Sequence, residues 1–165
     1  MSDDDETPFR QRGWPRVRGR LFHFYFRIAR PMTLGVRGLV HREADDSVFL
    51  IRHTYVPGWQ LPGGGVEADE TMEEALAREL IEEGNIELRA TPELRSMHFN
   101  RQASRRDHVA LYVITKFRQT APRLPDREIA EAGFFPRGAL PRGTTPATHR
   151  RLAEVFGGIT PSADW

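Results

Sequence analysis

Apolar and polar residues follow two rhythms along this chain. Met32–His41 (MTLGVRGLVH) and Ser47–Thr54 (SVFLIRHT) alternate with the two-residue period of a half-buried strand, and Arg42–Asp46 is the turn between them. The same rhythm predicts strands at Ile86–Ala90, Leu94–Arg101 and Glu128–Phe135, and His108–Phe117 (HVALYVITKF) is the clearest β segment. Gln102–Asp107 is a polar loop ahead of it. Elsewhere the period is helical. Thr71-Met72-Glu73-Glu74 has the S/T-x-x-E form of a capping box, and Leu76 and Leu80 set a buried stripe. Gly84-Asn85 stops this helix, because Asn tolerates the left-handed backbone needed there. Thr145 as N-cap, followed by Pro146, opens a second helix that ends near Phe156-Gly157.

Ahead of the strands, Leu21, Phe24, Tyr25 and Ile28 share one face of a basic, aromatic stretch. Residues 13–31 therefore predict an extra N-terminal helix packed on the domain, with an interfacial membrane helix or a homodimer contact as alternatives. Residues 1–12 predict a disordered polar tail and residues 158–165 a C-terminal tail, which leaves one domain over residues 32–157. Strands with one central helix and another at the end predict an α/β fold, a mixed β-sheet sandwiched between helices.

Composition narrows the chemistry by exclusion. A chain of 165 residues fits one domain with a stable core. It has no cysteine, which excludes a disulfide framework, a Cys nucleophile and a thiolate zinc site. The start, MSDDDE, lacks an apolar segment of the secretory kind, and no apolar run is long enough to span a bilayer, so the cytoplasm is the expected compartment. A formal net charge of +1 gives no specific nucleic-acid signal.

Against that neutral background, acidic residues crowd between Glu67 and Glu87, with Arg78 as the only base among them. Like charges this close repel on a helix, and a divalent cation is the obvious means of offsetting them. Glu79, Glu82 and Glu83 stand at i, i+3 and i+4, on one face, with Glu83 beside the buried stripe. Upstream, Leu61-Pro62-Gly63-Gly64-Gly65 is a strand end running into a glycine loop, whose backbone can approach a ligand closely. Loop and helix together offer oxygen donors to one hard cation.

At these residues the chain resembles the Nudix hydrolase family, whose box reads G-x5-E-x7-R-E-U-x-E-E-x-G-U, with U a bulky aliphatic. Gly64, Glu70, Arg78, Glu79, Leu80, Glu82, Glu83 and Ile86 match it, and Asn85 stands where the last glycine is expected. The resemblance implies a Nudix-type α/β/α sandwich and a hydrolase of phosphoanhydride bonds that uses Mg²⁺, with Mn²⁺ as a possible substitute. It implies Glu79 and Glu83 as principal metal ligands, Glu82 as ligand or general base, and the Gly63 carbonyl as a further ligand. Glu70 would support the site. Arg78 would orient a catalytic glutamate, and a salt bridge to Glu74 or Glu82 is the plainer alternative.

Beyond the box the candidates are looser. Glu128 and Glu131 lie where several Nudix enzymes carry an additional metal-binding or basic carboxylate, against the alternative of surface strand charge. Arg101, Arg105, Arg106 and His108 form a basic loop that is a candidate to meet phosphates, and Arg52 is a candidate to reach a diphosphate, against the alternative of solvated loop charge. Trp59 and Tyr55 could stack on a base or simply pack. His53 and His98 read as hydrogen-bonded structural residues. The expected substrate is a small-molecule nucleotide: a nucleoside diphosphate linked to another moiety, with nucleoside triphosphates as the nearest rival. RNA 5′ ends are possible too, and a nucleotide-binding module without turnover belongs to a different class.

Overall fold

The computed structural model describes residues 32–165. The expected tail and the expected helix over residues 13–31 lie outside the described residues. Within them the strands are β1 (Thr33–Arg42), β2 (Ser47–His53), β3 (Ile86–Leu88), β4 (Glu93–Phe99), β5 (Asp107–Ile114), β6 (Phe117–Gln119) and β7 (Ile129–Pro136). The helices are α1 (Met72–Gly84) and α2 (Pro146–Phe156). The main sheet has the order β4-β5-β1-β2-β7. It is mixed: β1 and β5 run parallel, and the other neighbours are antiparallel.

Strand alternation builds a different core on each face of this sheet. Val36, Phe49, Ile51, Ala110 and Tyr112 pack against Leu76 and Leu80 of α1. Leu39, Val48, Leu50 and Leu111 pack against Leu152 of α2. Each leucine so buried contributes about 1.5–3 kcal/mol. The sheet therefore lies between two helices, the α/β/α sandwich that the pattern predicts.

Where the predicted segment His108–Phe117 ran unbroken, the chain changes sheets. β5 ends at Ile114, and Phe117 opens β6, which pairs with β3 apart from the main sheet. Phe117 then stacks on Phe134, with ring centroids 5.6 Å apart. Local alternation cannot register that change of partner.

A second feature matters more for function. β1 and β2 pair only at their hairpin end, His41 with Val48 and Arg42 with Ser47. Beyond it they splay, and residues 60–66 enter the gap. Gln60 exchanges both backbone bonds with Ile51 at 2.8 and 2.9 Å. Gly38 donates to the Pro62 carbonyl at 2.8 Å, Val36 to that of Gly64 at 2.9 Å, and Val66 donates to Leu34 at 2.8 Å. The segment is thus held like a strand, by β2 at Gln60 and by β1 from Pro62 to Val66.

Residues 158–165 form no helix or strand, yet they are tied to the end of β4. Phe99 donates to the Ala163 carbonyl at 2.8 Å, and Trp165 donates to that of Phe99 at 3.0 Å.

Candidate active site

The catalytic candidates are placed by the two ends of α1. At its start the capping box is complete: Glu74 N–H donates to Thr71 Oγ1 at 3.2 Å, and Thr71 N–H donates to Glu74 Oε2 at 2.7 Å. Such a cap is worth about 1 kcal/mol. At its stop Asn85 is left-handed (φ 52°, ψ 36°), and its N–H returns to the Ile81 carbonyl at 3.0 Å. Between these ends, Leu76 and Leu80 fix the buried face, and Glu83 is buried beside them while Glu82 stays exposed.

The glycine bend meets both inward carboxylates. Gly63 has φ +135°, and a Cβ there would fall 2.1 Å from the Val36 carbonyl oxygen, so only glycine fits. Its N–H donates to Glu83 Oε2 at 2.7 Å. A Cβ on Gly64 would fall 2.2 Å from Glu79 Oε1, so the Glu79 carboxylate rests against that glycine. The bend is therefore close to both carboxylates.

Two arginines hold further oxygens around the bend. Arg78 donates through Nη2 and Nε to Glu70 at 2.8 and 3.3 Å, through Nη1 to Glu79 at 2.7 Å, and through Nη2 to the Gly65 carbonyl at 3.1 Å. Glu82 lies 3.6 Å from it. The alternative bridge from Arg78 to Glu74 does not form, because the capping box engages that carboxylate. Arg78 holds the Glu70 carboxyl below its ordinary range, aided by the Glu67 N–H. Arg37, on β1, donates to the carbonyls of Gly63 and Leu61. Burial lowers its pKa, while Glu83 and Glu79 pull it back up.

Among the carboxylates of the site, Glu83 is the one whose pKa is raised. Burial pushes it up to about 7, and Glu79 and Glu82 add to the rise, against the Gly63 N–H and Arg37. His53 Nε2 lies 3.5 Å from Glu83 Oε1. Burial, reinforced by Arg37, lowers the His53 pKa, and its Nδ1 has no hydrogen-bond partner among the described residues.

One cavity of about 310 Å³ takes in the bend, Glu79, Glu82, Glu83 and Glu128, with Arg37, His53, Tyr55 and Arg123 completing its wall. Most of the residues expected to meet substrate lie outside it. Arg52 pairs with Glu131 at 2.9 Å across the β2–β7 register. Trp59 is buried and packs edge-on against Phe135 at 4.7 Å. Arg101 pairs with Asp164 at 2.9 Å. Neither Arg105, Arg106 nor His108 lines the cavity. Conversely, Arg37, His53 and Arg123 line the cavity without belonging to any motif of the sequence. A lone arginine inside the apolar run VRGLV was the one available sign of the first.

The NUDIX domain family matches residues 31–156. The chain belongs to the Nudix family. A MutT NUDIX hydrolase from Burkholderia pseudomallei has a similar structure, with 26% identity, 76% of this chain and 99% of that chain covered, and a TM-score of 0.65. An ADP-ribose pyrophosphatase from Streptococcus suis shares the fold at 20% identity, with 82% and 96% covered and a TM-score of 0.55. An RNA pyrophosphohydrolase of Xanthomonas campestris is 45% identical over 49 residues, which is 30% of this chain and 24% of that protein. The match thus spans about a quarter of the curated relative's length.

The donor set of this Nudix site suits a hard divalent cation. Its oxygens come from carboxylates and a backbone carbonyl, with no sulfur. Among the described residues, no three His, Asp or Glu side chains already stand at ligand spacing. Arg78 holds Glu79, the Gly63 N–H holds Glu83, and Arg37 occupies the Gly63 carbonyl. Among the described residues, no helix is long and apolar enough to cross a membrane.

Proposed function

We propose that the protein is a magnesium-dependent hydrolase cleaving the phosphoanhydride bond of a nucleoside diphosphate linked to another moiety, NDP-X, to give NMP and P-X. One observation carries this reading: Glu79, Glu82 and Glu83 share a cavity with the Gly63–Gly64 bend. Glu128 joins them, so that four carboxylates face two guanidinium groups, Arg37 and Arg123. A polyanionic diphosphate enters such a site only with a cation. Mg²⁺, or Mn²⁺ in its place, held by Glu79, Glu83 and the Gly63 carbonyl, with Glu82 as ligand or general base, would neutralise phosphate charge and acidify an attacking water.

The chain's own residues supply the rest. Glu83, buried beside the bend with its Oε2 on the Gly63 N–H, would serve as a cation ligand. Glu82, exposed on the same face, is the general base. As water adds to phosphorus, its proton passes to Glu82 and the bridging P–O bond breaks toward the leaving phosphate. Arg78 fixes Glu79 from behind, with Glu70 holding Arg78 in turn.

A second cavity of about 480 Å³ shares Arg37 and Gly64 with the first and is walled by Thr33, Asn100, Asp107 and Trp165. Room on both sides of the bend supports a substrate with a group at each end of its diphosphate. A nucleoside triphosphate pyrophosphatase is the rival reading, and the local likeness to an RNA pyrophosphohydrolase favours adding RNA 5′ ends to it. A cytoplasmic location goes with either.

The test is a panel of nucleotide sugars, other NDP conjugates, nucleoside triphosphates and a 5′-triphosphorylated oligonucleotide, each with and without Mg²⁺. Release of NMP without pyrophosphate, and only with metal, is the expected result. Pyrophosphate as the product would move the assignment to the rival. No turnover of any compound at millimolar metal would leave a binding module.

A further inference from the structure

Asn85 is the position at which this chain departs from the Nudix box. A glycine would meet every backbone demand of the left-handed stop, so the asparagine side chain is an addition. Its Nδ2 donates to the Pro122 carbonyl at 3.2 Å and to the Ala121 carbonyl at 3.4 Å. We propose that Asn85 is a positioning residue: it fastens the end of α1 to residues 120–128 and thereby sets Glu128 against Glu79, Glu82 and Glu83.

This inference rests on the proposed function, because it gives Glu128 a part in the site. The connection can be followed bond by bond. The Asn85 carbonyl accepts from Thr120 N–H at 2.9 Å, so both ends of residue 85 hold the start of the segment. Arg123 donates to the carbonyl of Glu82 at 2.8 Å and to that of Leu124 at 2.7 Å, and it also holds the Asp126 carboxylate. Asp126 Oδ1 in turn accepts the N–H groups of Glu128 and Ile129, both at 2.8 Å. At the far end Thr54 donates to the carbonyls of Glu128 and Arg127 at 2.9 and 2.7 Å, which ties the segment to the end of β2. Residues 120–128 therefore form a strap from the helix stop to the strand end, and Glu128 rides on it into the cavity.

The bonds made by Asn85 are exposed, so water can replace them at little cost in stability. Their removal acts on placement instead. A misplacement of about 1 Å can cost up to roughly 100-fold in rate. With Arg123 and Thr54 still holding the strap, a loss of roughly 3- to 10-fold in kcat is expected for Asn85→Gly.

The test combines a double-mutant cycle on the full chain with amide hydrogen exchange. Asn85→Gly, Glu128→Gln and the double variant are compared for kcat on a substrate that the panel identifies. Asn85→Gly should lower kcat, leave the thermal midpoint in place, and cause no further loss in the Glu128→Gln background. Asn85→Asp, which keeps the shape but sets a carboxylate against two carbonyls, should lose more. Exchange should quicken across residues 121–129 in Asn85→Gly while α1 is unchanged, a readout that needs no turnover. Equal losses in both backgrounds, faster exchange in α1 instead of the strap, or wild-type behaviour of Asn85→Gly would each overturn the inference. Wild-type kcat in Glu128→Gln would remove both Glu128 and this inference, yet leave Glu79, Glu82 and Glu83 in their roles.

Discussion

Arg78 and Arg151 each pair with a carboxylate, and their surroundings differ in one respect that matters. Arg151 is fully buried, bonds Glu154 Oε1 at 2.6 Å, and lies 2.6 Å from His98 Nδ1. Trp165 covers it at 5.2 Å, and the Ser162 N–H donates to the same Glu154 oxygen at 2.9 Å. One guanidinium there meets one carboxylate, and the C-terminal segment closes over both. Arg78 instead faces Glu70, Glu79 and Glu82, with Glu83 next in line, and that group opens on a cavity. His98 and His53 both have lowered pKa values from burial, so perturbation alone does not separate the two regions. A surplus of one sign with access to solvent does.

The largest effect should come from neutralising that surplus. Glu82→Gln should lower kcat by about 10²–10⁴-fold, the range expected for loss of a general base, and Glu83→Gln should lower it by orders of magnitude through loss of a cation ligand, with circular dichroism unchanged in both. Activity near wild type in both would merge the two regions as structural. Breaking the balanced pair tests the opposite side. Arg151→Met leaves Glu154 buried and unpaired and should cost about 3–5 kcal/mol in urea denaturation, with turnover per folded molecule within about 2-fold. A catalytic defect at full stability would contradict the structural reading of that cluster.

The pH dependence sharpens the contrast. Because Glu83 is raised to about 7 in the folded chain, its contribution to stability is present below its ordinary value of 4.5 and is lost as pH rises through 7. Glu83→Gln keeps an acceptor for the Gly63 N–H without the buried charge. Metal-free Glu83→Gln should therefore be more stable than wild type at pH 8, by at most roughly 3 kcal/mol, with the gap closing toward pH 5. An equal gap at both pH values would show that the charge is not its source. Smaller again is the effect of metal on wild type. Mg²⁺ or Mn²⁺ at 10 to 100 times its Kd should stabilise the fold by about 1.4–2.7 kcal/mol, and a thermal scan of Glu83→Gln should show much less.

What could be read in advance was local chemistry. Thr71, Glu74 and Asn85 fix α1 through contacts within a few residues, so its start, its stop and the shared face of Glu79, Glu82 and Glu83 follow from spacing. The insertion of residues 60–66 between β1 and β2 depends on two strands splaying, which no local pattern encodes. Arg37 reaches Gly63 only through that insertion. Arg52 illustrates a different lapse. It alternates with His53, whose side chain faces Glu83, so the period of β2 already turned Arg52 the other way. Trp59 packs into the core beside α2 for reasons of tertiary contact alone.

Binding of Mn²⁺ measured by electron paramagnetic resonance bears most directly on the carboxylate surplus as a cation site. Wild type should take up Mn²⁺ at millimolar concentration or below, and Glu79→Gln/Glu83→Gln should lose that uptake while remaining folded. Equal binding by the two proteins would place the cation elsewhere and contradict the account.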